Sequence, residues 1–197
     1  MIFVPILLIA CSPEPTRGTD EQIKQVAYRG DPPPNLTLYT VVNNKTGQGM
    51  HSALMIDGSQ RVLFDPAGTW RHPNVPEQDD VKFGFSPGAQ GLYEEYHARA
   101  LYSVVRQTKT VSPETAERAL ALAKNNGSVM EAFCAKATGK LLQNVPGFEA
   151  MPSKFYPSHL MKAFAQLPDV ETTRICEDDT DSFEAVLEQQ STIYPNK

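Results

Sequence analysis

Gly49-Met50-His51-Ser52-Ala53-Leu54-Met55-Ile56-Asp57-Gly58 joins an apolar run of strand length to a turn signal. Met50 to Ile56 reads as a strand, and Asp57-Gly58 is a dipeptide that tolerates the positive φ a tight hairpin needs. Alternation along that strand puts His51, Ala53 and Met55 on one face and Met50, Ser52, Leu54 and Ile56 on the other. Both faces are largely apolar, so the sheet is expected to be covered on both sides, with His51 at its lip.

The flanking segments extend the pattern. Upstream, Leu36 to Val42 is rich in β-branched and aromatic residues and ends at the turn-like Asn43-Asn44-Lys45-Thr46-Gly47. Downstream, Arg61-Val62-Leu63-Phe64-Asp65 is a third strand, stopped by Pro66-Ala67-Gly68. The three make an antiparallel meander. Residues 69–90, with Trp70, Phe83 and Phe85 among Pro, Gly and Asp, are expected to form a long ordered loop. A helical turn from Gly91 to Tyr96 and a strand from Ala98 to Thr108 follow.

Ser112-Pro113-Glu114 opens a helix with an N-cap hydroxyl, proline in the first turn and an acid near the positive end of the dipole. Helices are further expected over 134–143, from Pro157, and from Asp181 to Gln190, with a strand from Val170 to Cys176. The fold class is α+β, as one domain over residues 36–190 with a polar tail at 191–197.

The chain has 197 residues, 41% hydrophobic and 21% charged, with a formal net charge of -5. The acidic balance and the lack of any Lys/Arg cluster argue against a nucleic-acid groove and a polybasic membrane patch. At the N-terminus, Met1 to Cys11 is apolar but too short to span a bilayer. Leu8-Ile9-Ala10-Cys11 resembles a bacterial lipobox, which implies a signal peptide at 1–10 and diacylation of Cys11. A flexible tether over 11–35 and an anchor in the cell envelope follow from it. Ser12 behind that cysteine points to the outer membrane, facing the periplasm. No Lys or Arg lies between Met1 and Cys11, so the positive n-region is missing. Either translation starts upstream or export is inefficient, and a buried N-terminal strand is the competing reading.

Glu131-Ala132-Phe133-Cys134-Ala135-Lys136 places a cysteine at the start of a helix, where unpaired backbone N–H groups favour the thiolate. His51 is the candidate base, and Asp65 the carboxylate that would accept its other ring N–H. Plainer readings stand beside these. Cys134 suits a buried thiol, or half of a disulfide with Cys176, and His51 a satisfied core histidine. His72, His97 and His159 read as surface or capping residues. Phe148, Phe155 and Tyr156 are either core or the walls of a cleft. No spacing suggests a metal site and no glycine loop suggests a phosphate site, so no cofactor is expected.

The order of these motifs resembles the circularly permuted branch of the NlpC-type papain-like superfamily, which includes the lecithin:retinol acyltransferase-like proteins. The motifs are a strand histidine in Gly49-Met50-His51-Ser52-Ala53-Leu54, a strand ending in Leu63-Phe64-Asp65-Pro66, and the helix-borne Phe133-Cys134-Ala135. The likeness covers residues 36 to 165. It implies a papain-like α+β fold, with an antiparallel sheet packed on the helix that carries the nucleophile. Cys134 is then the nucleophile, His51 the base and Asp65 the orienting group. Relatives use His, Glu or Asn at the third position, and a one-residue change of register puts Phe64 there instead. The oxyanion hole would be the Cys134 N–H with Tyr39 as a second donor. The branch includes hydrolases and acyltransferases. Peptidoglycan stem peptides and acyl groups of lipids or lipoproteins are therefore both candidate substrates. A non-catalytic envelope scaffold lipoprotein of the same fold is the alternative.

Overall fold

In the computed structural model, which describes residues 18–193 and 195, the three apolar runs become β1 (Asn35–Asn43), β2 (Gly49–Asp57) and β3 (Arg61–Phe64). Tyr39 lies opposite Ala53 and Val41 opposite His51 across the first antiparallel pair, and Phe64 lies opposite Leu54 across the second. The segment 1–10 expected as a signal peptide and Cys11 fall outside the described residues, as do residues 194, 196 and 197 of the polar tail.

The span expected as a long loop holds more order than its composition suggests. It contains β4 (Glu77–Gln78), β5 (Val81–Phe83) and the start of α2 (Pro87–His97). Two and three residues are too few to display alternation, which is why the strands were silent in the sequence. The helix had a signal: Ser86 accepts from the Ala89 N–H with proline directly behind it, the arrangement Ser112 makes at the start of α3 (Pro113–Lys124). β6 (Tyr102–Thr110), α4 (Cys134–Leu142), α5 (Pro157–Phe164), β7 (Val170–Cys176) and α6 (Phe183–Ser191) complete the domain. The result is a mixed α+β fold around one seven-stranded sheet in the order β4-β5-β3-β2-β1-β6-β7, every neighbouring pair antiparallel.

Alternation in the central strands supplies two cores, one on each face of the sheet. Leu36, Leu38, Leu54, Ile56, Val62 and Phe64 pack with Ala119, Leu120, Leu141 and Leu142 from α3 and α4. On the other face Tyr39, Ala53, Met55 and Leu63 pack with Trp70, Phe85, Leu92 and Tyr93, closed by Val186 of α6. Fully burying one such side chain stabilises by about 1.5–3 kcal/mol.

The described part of the expected tether, 18–34, is laid against the sheet. α1 (Asp20–Val26) is closed by a capping box between Thr19 and Gln22, and its Ile23 and Val26 pack on the first core. The Gly18 N–H bonds the Glu77 carbonyl, the Arg61 N–H bonds the Tyr28 carbonyl, and the Gly30 N–H bonds Asp57 Oδ1. These bonds to β4, β3 and the Asp57 carboxylate supply the order that its apolar content could not. Among the described residues no helix is long and apolar enough to cross a membrane.

Candidate active site

β3 ends opposite Leu54, so β2 has no ladder partner on that side beyond this point. His51 and Ser52 occupy that open stretch, and α4 packs across β2. Cys134 is the first residue of α4, 6% exposed, with Leu141 and Leu142 fixing the helix in the core. Phe133 at the N-cap makes no side-chain hydrogen bond. The groups that act on the thiol are instead the His51 side chain and the backbone N–H groups of Ser52 and Ala135. The chain reaches this position through Ala132, whose φ of 67 lies in the left-handed region that costs a residue with a Cβ about 1 kcal/mol or more.

His51 Nε2 lies 2.7 Å from Asp65 Oδ1, with the histidine side chain 16% exposed and the carboxylate fully buried. Asp65 is held from every side. Its second oxygen faces Lys82 Nζ at 3.5 Å, Tyr93 Oη donates to Oδ1 at 3.3 Å, and its N–H bonds the Asp80 carbonyl. Gly68 turns back so closely that a Cβ there would sit 2.0 Å from Asp65 Oδ2. Lys82 is itself buried and bonds Glu77 Oε2 at 2.8 Å. Strand alternation explains how it arrives: Lys82 pairs with Leu63 across β3 and β5, so it shares a face with Leu63 and Asp65.

Burial opposes charge at Asp65, His51 and Cys134, yet partner charges win at all three. The Lys82 ammonium and His51 hold the Asp65 carboxyl far below the ordinary carboxylate range despite its burial. Burial lowers the basicity of His51, but the hydrogen bond and charge of Asp65, with a further contribution from Cys134, raise it from 6.5 to about 10. Burial raises the Cys134 thiol, and the His51 hydrogen bond and charge, helped by the two backbone N–H groups, bring it below its ordinary 9.0. Both shifts favour thiolate with imidazolium over thiol with neutral imidazole.

The structure brings Cys134, His51 and Asp65 together and leaves Tyr39 out. Its hydroxyl is buried 4.0 Å from Met55 Sδ, and Glu94 is the next group to act on it. The oxyanion role expected for Tyr39 does not fit, because the side chain runs along the sheet face toward Met55. Phe64 stands in the opposite core, which settles the register in favour of Asp65. Cys134 and Cys176 are both free, the second exposed on the edge strand β7, so the disulfide is not formed.

Two histidines read as surface residues are buried. His72 bonds the Gln190 carbonyl through Nε2. His97 stacks on His51 with ring centroids 5.9 Å apart and planes 5° from parallel, and its Nδ1 donates to the Tyr93 carbonyl at 2.9 Å. Burial and the neighbouring His51 charge lower it to about 4, so its ring stays neutral. The signal for it was available, since His97 falls four residues after Tyr93 on one helix face. His159 is exposed, as expected. Of the three aromatics, Phe148 is core, while Phe155 and Tyr156 are exposed, with Phe155 edge-on to Phe133 at 4.9 Å.

A cavity of about 250 Å³ opens on His51 and His97. A larger groove of about 500 Å³, between α1 and residues 71–77, shares no residue with this site. Comparisons with family models, curated proteins and solved structures return no match for this chain.

Proposed function

We propose that this protein is a lipid-anchored cell-envelope cysteine hydrolase of permuted NlpC-type papain-like architecture, acting on amide bonds of peptidoglycan peptides or on acyl groups of lipids. The observation that carries this reading is the buried series Cys134, His51, Asp65, Lys82, in which each charge is matched by the next. A free cysteine kept only for packing has no need of it.

In this reading the Cys134 thiolate attacks the carbonyl carbon and the C=O electron pair moves onto oxygen. The N–H of Cys134, in the first helical turn where no intrahelical acceptor exists, is the donor best placed for that oxyanion. As the intermediate collapses, the C–N bond breaks and the His51 imidazolium gives its proton to the departing amine. A thioester on Cys134 remains. Water then attacks it, His51 takes the proton of that water, and the thiolate leaves with the acid as product. Asp65 keeps Nε2 engaged throughout, so the ring presents Nδ1 to the sulfur in both half-reactions.

The test is release of amine or acyl product from muropeptides and from diacylated lipoprotein by the purified protein. Replacing the nucleophile, Cys134→Ala, should lower turnover by about a thousandfold or more, and full activity in that variant would refute the reading. The anchor has its own readout: labelled fatty acid should enter the native protein and not Cys11→Ala, and label retained in the variant would contradict the anchoring.

A further inference from the structure

The cavity beside His51 is absorbed neither by the charge series nor by the bond-breaking steps. Val41, Met50, Tyr96, Tyr102 and Phe183 wall it, and none of the residues lining it is a carboxylate, ammonium or guanidinium group. Its size, about 250 Å³, matches roughly eight waters at about 30 Å³ each, or one aromatic ring with a short linker.

Its walls are built rather than left over. Phe183 opens α6, packed 5.0 Å from the Tyr96 ring and 6.2 Å from Tyr102. The approach to α6 is clamped by Arg99, which bonds the Asp181 carbonyl at 2.7 Å and pairs with Asp179 Oδ2 at 2.8 Å. The helix is then locked by buried Gln190, which accepts from Trp70 Nε1 and donates to the Leu92 carbonyl. The Tyr96 hydroxyl is taken by Thr69 Oγ1 at 3.0 Å, which leaves its ring as the cavity surface.

His97 supplies a polar group with a fixed sense. Its Nδ1 proton is committed to the Tyr93 carbonyl, so in the neutral ring Nε2 is an acceptor and not a donor. The cavity is lined by His51 and His97 but not by Cys134. Its occupant therefore sits against the imidazole that protonates the departing group, without lining up on the sulfur itself.

We propose that this cavity is the subsite for the amine side of the scissile bond and selects an uncharged apolar amine whose amide N–H is accepted by His97 Nε2. This rests on the cysteine-hydrolase reading and narrows its substrate to secondary amides with an apolar leaving amine. An ester has no N–H to offer, and an amine bearing a carboxylate brings a charge whose one cationic neighbour in the lining, His51, is already paired with Asp65.

The test is binding to the Cys134→Ala protein, which cannot turn over its ligand, followed through the Cε1–H proton resonances of His51 and His97. N-benzylacetamide should shift both. Benzyl acetate should bind severalfold more weakly for want of the N–H, and N-acetylglycine about tenfold or more weakly through its unpaired charge. Phe183→Ala should weaken N-benzylacetamide about threefold or more through lost apolar contact, with an unchanged melting temperature showing that the fold is intact. Equal response to N-acetylglycine, or no shift at His97, would overturn the subsite. Because the readout is binding without the thiol, that failure is separable from failure of the nucleophile, which is read from thiol ionisation in the native protein.

Discussion

His51 Nε2 and Asp65 Oδ1 stand 2.7 Å apart at the end of two neighbouring strands, and this contact leaves Nδ1 as the only ring nitrogen for the Cys134 sulfur. The orientation of the imidazole is thus set by a carboxylate that is itself fully buried. Losing that carboxylate should be felt at the thiol, which it does not touch.

Asp65→Asn should therefore lower the basicity of His51 and raise the thiol toward its ordinary value. At a pH below the thiol's midpoint, raising that midpoint by about one pH unit lowers the thiolate fraction about tenfold. Iodoacetamide alkylation of Cys134 at about pH 7 should fall by about tenfold or more, with Cys176 as an internal control. Unchanged alkylation would show that the carboxylate does not support the ion pair.

Lys82→Met removes the cation that holds Asp65 ionised and leaves Glu77 and Asp65 facing each other within the core. Breaking a buried pair from one side costs about 3–5 kcal/mol, measurable by urea unfolding. Lys82→Arg should restore part of it. If Lys82→Met is as stable as the native protein, the ammonium is not what compensates the buried carboxylates.

Gly68→Ala inserts a Cβ 2.0 Å from Asp65 Oδ2. The carboxylate must move, so alkylation should slow in the same direction as in Asp65→Asn. Gly139→Ala meets the Pro152 carbonyl oxygen at 2.1 Å and should destabilise α4 by about 1–3 kcal/mol. Native alkylation rates in Gly68→Ala would place the carboxylate outside the working site.

The pH dependence of stability follows from the signs. His51 is raised in the fold, so its contribution is full below its unfolded value near 6.5 and is lost as pH rises toward about 10. Cys134 is lowered, so its contribution is full above its unfolded value of 9.0 and is lost as pH falls. Between those two values the trends oppose each other, and the larger shift of His51 leaves a net loss as pH rises. Below about 6.5, His97, lowered in the fold, also favours the unfolded chain as that chain takes up its proton, and Asp65 adds further loss below about 4. Urea midpoints should be highest near pH 6.5 and fall on both sides, on the alkaline side because the loss from His51 outweighs the gain from Cys134. In His51→Ala the alkaline fall should largely vanish. A monotonic profile in the native protein would contradict these assignments.

What the sequence made legible is what repeats or stops. The alternation in β2 located His51, Asp65 closed an apolar run, and Ser112-Pro113 announced α3. Lys82 was hidden because a strand of three residues shows no period, and a lysine on one reads as exposed. His97 offered only its four-residue spacing from Tyr93, and its stacking on His51 depends on the sheet beside α2 rather than on its own helix. Tyr39 shows the reverse error: the right strand and the right face, with the hydroxyl aimed along the sheet to Met55. Direction along a face is set by packing, and periodicity carries no record of it.

Thiolate absorbance near the ultraviolet edge, titrated in native protein and in His51→Ala, bears most directly on the charge state of Cys134. In native protein one thiol should ionise below 9.0, the ordinary value, and in His51→Ala that lowered transition should disappear. A single transition near the ordinary value in both proteins would contradict the ion pair, and with it the proposed chemistry.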